Sequence, residues 1–425
     1  MTATTARHRR PPRTLLGDHD FRLLLVGDTA SKTGTYATVI AVPIVAVTVL
    51  DASILTVGVL EAFAWLPFLL FSLLAGAWVD ATSRRAVMHG CNWSSAVMLC
   101  SVPAAVWFDV LTLPHLAGVA FGVGVARVFF IPASQAYLPA VLPKGRLVEA
   151  NSWLKSADGA AEIGGPSLAG GMAHALGAAT ALLADAASFV VYSVCLWRIR
   201  AVEPPPGGRS NAGLGARIRE GLAFATRDRY LRVVIGFMTA ANLVQVALQT
   251  LLVVFLIRTV GVNTGTAGLL MAGMGVGALV GATVIHPLIR RWGNARAFLV
   301  AETVTAGAGL LLPLTRDGWR LGFFVAGLVV LYAGVVGGSV IAQSWRQAYT
   351  PDAMMGRVTS VIQLFLRGGM PIGALLGGWA GTVLGLRGAL WACGVGLFLP
   401  LAVLYLSPIA RRRDLPTEPE PKEIR

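Results

Sequence analysis

Asp28, Lys32, Arg127, Asp158 and Glu162 stand inside otherwise apolar stretches of the chain. Ionisable groups at membrane depth are costly and by default mark function. Asp28 and Lys32 are four residues apart, which puts them on one helix face and lets them pair. Arg127 lies about eleven residues from one end of its stretch and Glu162 about ten from the matching end of the next, so the two are expected to pair at similar depth. Asp28, Lys32 and Asp158 are expected close by, facing a common cavity. Burial favours the neutral form of a carboxyl group and a neighbouring cation favours the ionised form. A carboxylate that gains and loses its cation as helices move would therefore load and release a proton. The alternative is a static buried pair that fixes helix register. Glu61, Asp185, Glu302 and Arg367 also lie in apolar stretches, and their spacing does not rank their roles.

The elements that must position these groups follow from composition. The chain has 425 residues, 55% of them hydrophobic and 13% charged, against about 25% charged in a typical soluble protein. The bilayer is the expected solvent. Twelve apolar stretches are each long enough to cross roughly 30 Å of hydrocarbon: 22–48, 54–78, 86–108, 114–138, 152–173, 177–198, 232–257, 265–289, 295–314, 320–344, 359–384 and 388–408. Cytoplasmic loops carry the excess of Lys and Arg. With the N-terminus inside, 27 of the 35 fall on the inner side. Four fall outside (Arg258, Arg316, Arg320, Arg387) and four within spans (Lys32, Arg127, Lys155, Arg367). Both termini are thus expected in the cytoplasm of a multi-pass cell-membrane protein. The net charge of +14 punctuates apolar runs rather than forming the clustered surface that nucleic acid requires, so no nucleic-acid partner is expected.

Residues 1–21 form a basic N-terminal tail and 409–425 a C-terminal one. Between two bundles, 22–198 and 232–408, lies a polar interval, 199–231, that contains the breaker run EPPPGG. Its Leu214, Ile218, Leu222 and Phe224 fall near one helical face among arginines, as in an amphipathic helix lying on the inner leaflet. The two bundles echo one another. GAWVDATSRR, Gly76 to Arg85, follows span 2, and GATVIHPLIRRWG, Gly281 to Gly293, follows span 8. The leading glycine and the paired arginines recur, but the aspartate does not. Duplicated helical halves are a transporter architecture.

At this point the chain resembles the major facilitator superfamily. Gly76, Asp80, Arg84 and Arg85 match its signature loop between helices 2 and 3. Arg127 stands where many proton-coupled members carry an intramembrane arginine. GGPSLAGG, with Gly165, Pro166 and Gly170, resembles the helix-5 motif of antiporters. FRLLLVGDTAS, FFIPASQAYLPAVLP, LADAASF and GRVTS resemble the branch of macrolide and siderophore exporters, although Asp28 and Lys32 depart from it.

The resemblance implies an all-α membrane protein of twelve transmembrane helices in two pseudo-symmetric six-helix bundles, working by alternating access. It implies that Gly76, Asp80, Arg84 and Arg85 form a conformational latch at the cytoplasmic ends of helices 2 and 11; the alternative is a topology signal alone. Asn242, Gln245 and Gln249, spaced i, i+3 and i+7, form one polar stripe. The resemblance places helices 1, 4, 7 and 10 around the cavity, so with Tyr36 and Gln343 they are substrate-contact candidates; polar glue between helices is the alternative. It also implies that the glycine ladders Gly273, Gly277, Gly281 and Gly369, Gly373, Gly377, Gly381 lie where the halves slide.

No GK dipeptide, HExxH or GxSxG occurs, so neither a Walker A loop nor these hydrolase motifs are present. No enzyme activity, cofactor or metal site is expected: the six histidines are scattered, and Cys91, Cys100, Cys195 and Cys393 show no CxxC spacing. The reading is a monomeric secondary transporter in membrane lipid. It uses the proton gradient and most plausibly exports a drug-like, macrolide or siderophore-type compound. An importer or lipid flippase of the same fold, or a non-transporting membrane receptor or assembly factor, remains the alternative.

Overall fold

The computed structural model describes residues 15–80, 82–143, 146–201, 203, 222–224, 226–350 and 352–416. Among them no strand occurs. The first half comprises α1 (His19–Thr48), α2 (Ile54–Asp80), α3 (Arg84–Trp107), α4 (Leu113–Val141), α5 (Leu147–Leu176) and α6 (Thr180–Arg198). The second comprises α7 (Arg229–Val254), α8 (Thr264–Met271), α9 (Gly273–Trp292), α10 (Asn294–Gly309), α11 (Leu321–Tyr349), α12 (Asp352–Gly368), α13 (Met370–Val383), α14 (Gly385–Gly396) and α15 (Phe398–Tyr405). α8 with α9, α12 with α13 and α14 with α15 are consecutive pieces of single rods. The face bearing the start of α1 and the end of α6 is called here the terminal face, and the opposite one the distal face.

Helix starts are set by short polar side chains that satisfy otherwise orphaned N–H groups. Asp18 accepts from the N–H of Asp20 and Phe21, Asp228 from those of Tyr230 and Leu231, and Asn263 from that of Thr266. Between α12 and α13 the rod breaks at Gly369. Pro371 lacks an N–H, and its ring opposes the carbonyl four residues back, that of Arg367.

Nine stretches of the described residues are long and apolar enough to cross a membrane. The last, Val361–Tyr405, has 45 residues, about 68 Å of helix and room for two crossings. α3 and α5 are not among the nine. In α5 the reason is chemical, since it carries Glu149, Lys155, Asp158 and Glu162 on one rod.

The halves meet most closely towards the distal face. There α5 crosses α8, and a Cβ on Gly268 would lie 2.6 Å from the Cα of Gly170. α2 crosses α13, where a Cβ on Gly58 would lie 2.7 Å from the carbonyl oxygen of Ala374. Glycine at these points lets backbone approach backbone. The expected glycine ladders, except at Gly381, pack elsewhere. Gly277 and Gly281 face Val329 and Ala333 of α11, and Gly373 and Gly377 face Leu243 and Ala247 of α7, all within the second half. The glycines between halves are instead Gly268, Gly275 and Gly378, with Gly381 touching both Ile54 and Leu251. Gly275 is two residues from Gly277, so it lies on the opposite side of the same helix.

Candidate functional site

A cavity of about 660 Å³ runs through the first half, within the range of small-molecule sites. Among the described residues its walls come from α1 to α6, and the second half contributes one side chain, Arg367.

On the α1–α5 wall, Lys32 bridges two carboxylates. Its Nζ is 2.9 Å from Asp28 Oδ2 and 3.5 Å from Asp158 Oδ1. Asp158 also lies 3.9 Å from Lys155 Nζ, and Tyr36 donates its hydroxyl proton to it at 3.5 Å. Gly165 makes this wall tight, because a Cβ there would lie 2.7 Å from the carbonyl oxygen of Thr33 on α1. Pro166 and Gly170, one turn on, turn to the second half, where the Pro166 carbonyl and the Gly170 backbone meet Gly268.

Arg127, on α4, also faces the cavity, with its guanidinium 5.4 Å from the centre of the Trp65 ring. It forms no ion pair with Glu162 among the described residues. The acidic groups in its electrostatic reach are instead Asp185, Asp158 and Glu61. Glu162 is not part of the cavity wall; it lies within reach of Tyr36 in the first half and Tyr332 in the second.

Two carboxylates that spacing left unranked are cavity residues. Asp185 of α6 is 1% exposed and accepts from the hydroxyls of Thr38 at 2.5 Å and Ser188 at 3.1 Å. Glu61 of α2 stands one turn before Trp65, beside its side chain. Their only sequence signal is a charge inside an apolar run. Trp65 and Asn92, the latter 1% exposed on the cavity wall, carry no such signal.

Of the substrate-contact candidates, Tyr36 lines the cavity, whereas Asn242, Gln245, Gln249 and Gln343 do not. Asn242 donates to the carbonyl of Leu366 at 3.0 Å, tying α7 to the break in the α12–α13 rod. Gln249 donates to the Tyr332 hydroxyl, and Gln245 lies beside the same hydroxyl. Gln343 is exposed. These placements give the α7 stripe a helix-joining geometry.

At the turn between α2 and α3, the side chains of Gly76 and Asp80 lie outside the described residues. Arg84 and Arg85 are held within the first half. Arg85 donates to the carbonyls of Leu196 and Trp197 at the end of α6, at 2.6 and 2.8 Å, where a cation meets the negative end of the helix. Glu203 accepts from the Ser83 hydroxyl at 2.9 Å and from the N–H groups of Arg84 and Arg85 at 2.8 and 3.2 Å. The second half repeats this device. Asp414, past α15, accepts from the N–H of Asn294 at 2.9 Å, at the start of α10. An acid therefore serves both echoed turns, supplied by the segment after the last span of each half. The amphipathic segment lies largely outside the described residues, with Leu214 and Ile218 among those omitted and Leu222 and Phe224 described as helical. Among the described residues, no group of three or more His, Cys, Asp and Glu is arranged to hold a metal.

The sequence pattern of the transmembrane secretion effector family matches residues 14–422. The chain is similar to the multidrug efflux pump Tap of Mycolicibacterium fortuitum, 24% identical over 409 residues, covering 93% of this chain and 98% of that one. In fold it is similar to a bacterial homologue of the iron transporter ferroportin. The TM-score is 0.74 against the inward-facing state, at 17% identity over 94% of this chain and 100% of that one. Against the outward-facing state it is 0.60, at 18% identity over 92% and 100%.

Proposed function

The chain belongs to the transmembrane secretion effector family of the major facilitator superfamily, and on that premise we propose that it is a proton-coupled exporter of drug-like compounds. The family comprises membrane transporters, not enzymes. The similarity to the Tap efflux pump over nearly the whole chain supports the outward direction. The observation that carries the coupling is the Lys32 bridge, in which one ammonium serves Asp28 and Asp158 on the cavity wall. Protonating Asp158 removes the ionic link between α5 and Lys32 and loosens α1 from α5, while protonating Asp28 leaves Lys32 to Asp158 alone. The groups in reach of Arg127 extend this set to Asp185 and Glu61, so a proton or a substrate entering the cavity alters the balance of all five.

In this reading the bundles 22–198 and 232–408 together cross the membrane twelve times, six per half, with 199–231 as the cytoplasmic connector and the tails 1–21 and 409–425 on the same side. The terminal face is then cytoplasmic, and the contacts at the distal face close the outside. Drug-like, macrolide and siderophore-type compounds suit a cavity of this volume. The transporter works as a monomer in the cell membrane.

Uptake into inverted vesicles under an imposed pH gradient, acid inside, tests the reading. A panel of toxic compounds is expected to include at least one that accumulates only with the gradient, and Asp158→Asn is expected to lower that accumulation by about tenfold, the scale of losing a charge-assisted contact. Accumulation indifferent to the gradient, or an Asp158→Asn protein that transports as the parent does, would contradict proton coupling. Gradient-driven loss of compound from the vesicles would instead make the protein an importer.

A further inference from the structure

Among the described residues Arg367 is the one cavity side chain supplied by the second half, and it sits where the α12–α13 rod breaks. Its guanidinium lies 4.9 Å from the centre of the Phe68 ring. Phe68 packs on Trp65 at 5.5 Å, three residues earlier on α2, and Trp65 in turn carries Arg127 at 5.4 Å. A ladder of cation, ring, ring and cation thus runs from α4 across α2 to α12, joining the two halves. Two like charges are brought within electrostatic reach of each other at its ends.

Asp185, Asp158 and Glu61 lie in the electrostatic reach of Arg127, but among the described residues none of the cavity's carboxylates closes an ion pair with either end of this ladder. Asp28 and Asp158 share Lys32, and Asp185 is occupied by two hydroxyls. Glu61 alone stands on the same wall, with Trp65. Among the described residues neither Arg127 nor Arg367 forms an ion pair. A guanidinium lying over a ring keeps its N–H donors in its own plane, at its edges, where they match a carboxylate two by two. Arg367 gives its Nε–H to Gln363 at 3.0 Å and keeps the remaining donors. The neighbouring wall is apolar, formed by Ala64, Val123 and Ile131.

We propose that Arg127 and Arg367 form an anion subsite, and that the compounds carried are amphiphiles bearing a carboxylate on an apolar body. The carboxylate pairs with the free edge of the Arg367 guanidinium, in the field of Arg127, and the body lies along Ala64, Val123 and Ile131. Because the two arginines belong to opposite halves, the anion also offsets a repulsion across the cavity. Substrate binding itself therefore draws α12 towards α4. This inference rests on the transport reading only in taking the cavity as the substrate site.

The test is calorimetric binding to the purified full-length protein in lipid nanodiscs, using 2-naphthoate and its neutral counterpart 2-naphthamide. The parent is expected to bind the carboxylate about tenfold more tightly than the amide, as a charge-assisted bidentate contact gives. Arg367→Gln is expected to bring the two probes within about twofold, and Arg367→Lys, which keeps the charge but not the fork, to fall between Arg367→Gln and the parent. Arg320→Gln, at an exposed arginine outside the cavity, should keep the parent's preference. Equal binding of both probes by the parent, or an undiminished preference in Arg367→Gln, would overturn the subsite. Carboxylate preference in a protein that shows no gradient-driven uptake in inverted vesicles would count against the exporter and for the subsite.

Discussion

Glu203 collects three hydrogen bonds at the start of α3, two of them from the backbone of the paired arginines. An N-terminal cap of this kind is worth about 0.5–2 kcal/mol. Glu203→Ala should therefore lower the melting temperature of the detergent-solubilised protein measurably, while Glu203→Gln, which still accepts, should lose less. Equal melting of parent and Glu203→Ala would show that the cap contributes nothing. At this scale the sequence reveals which residues are costly to bury but not which of them meet. Asp28 and Lys32 are readable as neighbours because i, i+4 spacing determines both depth and direction. Arg127 and Glu162 share a depth, yet depth says nothing about rotation around the helix axis, and α4 turns Arg127 to Trp65 on α2. Trp65 itself, one apolar residue among many in its span, announces nothing. The acid opposite the second turn escapes comparison of the turns because Asp414 lies some 120 residues away in sequence.

The helices themselves are legible, since apolar runs of this length admit little else in a bilayer. Their contacting faces are less so. Ladders at i, i+4 catch the eye and, Gly381 apart, pack within the second half, whereas Gly268 and Gly378 make the crossings between halves. A Cβ on Gly378 would lie 3.1 Å from the Cα of Gly58 and 3.2 Å from that of Leu55, both backbone atoms that cannot swing aside. Gly378→Val should therefore hold α2 and α13 apart and disfavour closure of the distal face. In a background lacking Cys91, Cys100, Cys195 and Cys393, a cysteine replacing Ala62 reports this. It lies buried beside Ala374 and should react with a membrane-impermeant maleimide several-fold faster when Gly378→Val is present. An unchanged rate would mean that the crossing tolerates the added carbons. The break after Arg367 has a sequence cause in Pro371, but its consequence, an arginine from the second half at the wall of the first, needs the packing of α12 against α2 to become visible.

For the whole molecule, alternating access requires that the distal closure be weak enough to open. Among the described residues the ion pair across it is that between Arg258 and Asp51, 2.8 Å apart, the aspartate 98% and the arginine 30% exposed. Asp51 is held there with φ at 46°, in the left-handed region that few non-glycine residues adopt. Exposed ion pairs contribute about 0–1 kcal/mol, which bounds the shift in the open-to-closed ratio at about fivefold. Two charges set against extensive glycine crossings thus act as a trim on the equilibrium, not as its cause. Nothing in the spacing of residues 51 and 258 links them, because the pairing belongs to one state of a moving assembly and not to a helix face. The consequence can be measured by pulsed dipolar spectroscopy between spin labels at Val110→Cys and Trp319→Cys, exposed positions on the distal face of opposite halves. Arg258→Gln should raise the long-distance population by up to about fivefold at low ionic strength. The difference from the parent should fade at about 0.5 M salt, where the screening length is only a few Å. If Arg258→Gln leaves the distance distribution unchanged at low salt, the pair has no part in closure. If the variant differs equally at both salt concentrations, its effect comes through packing and not through charge.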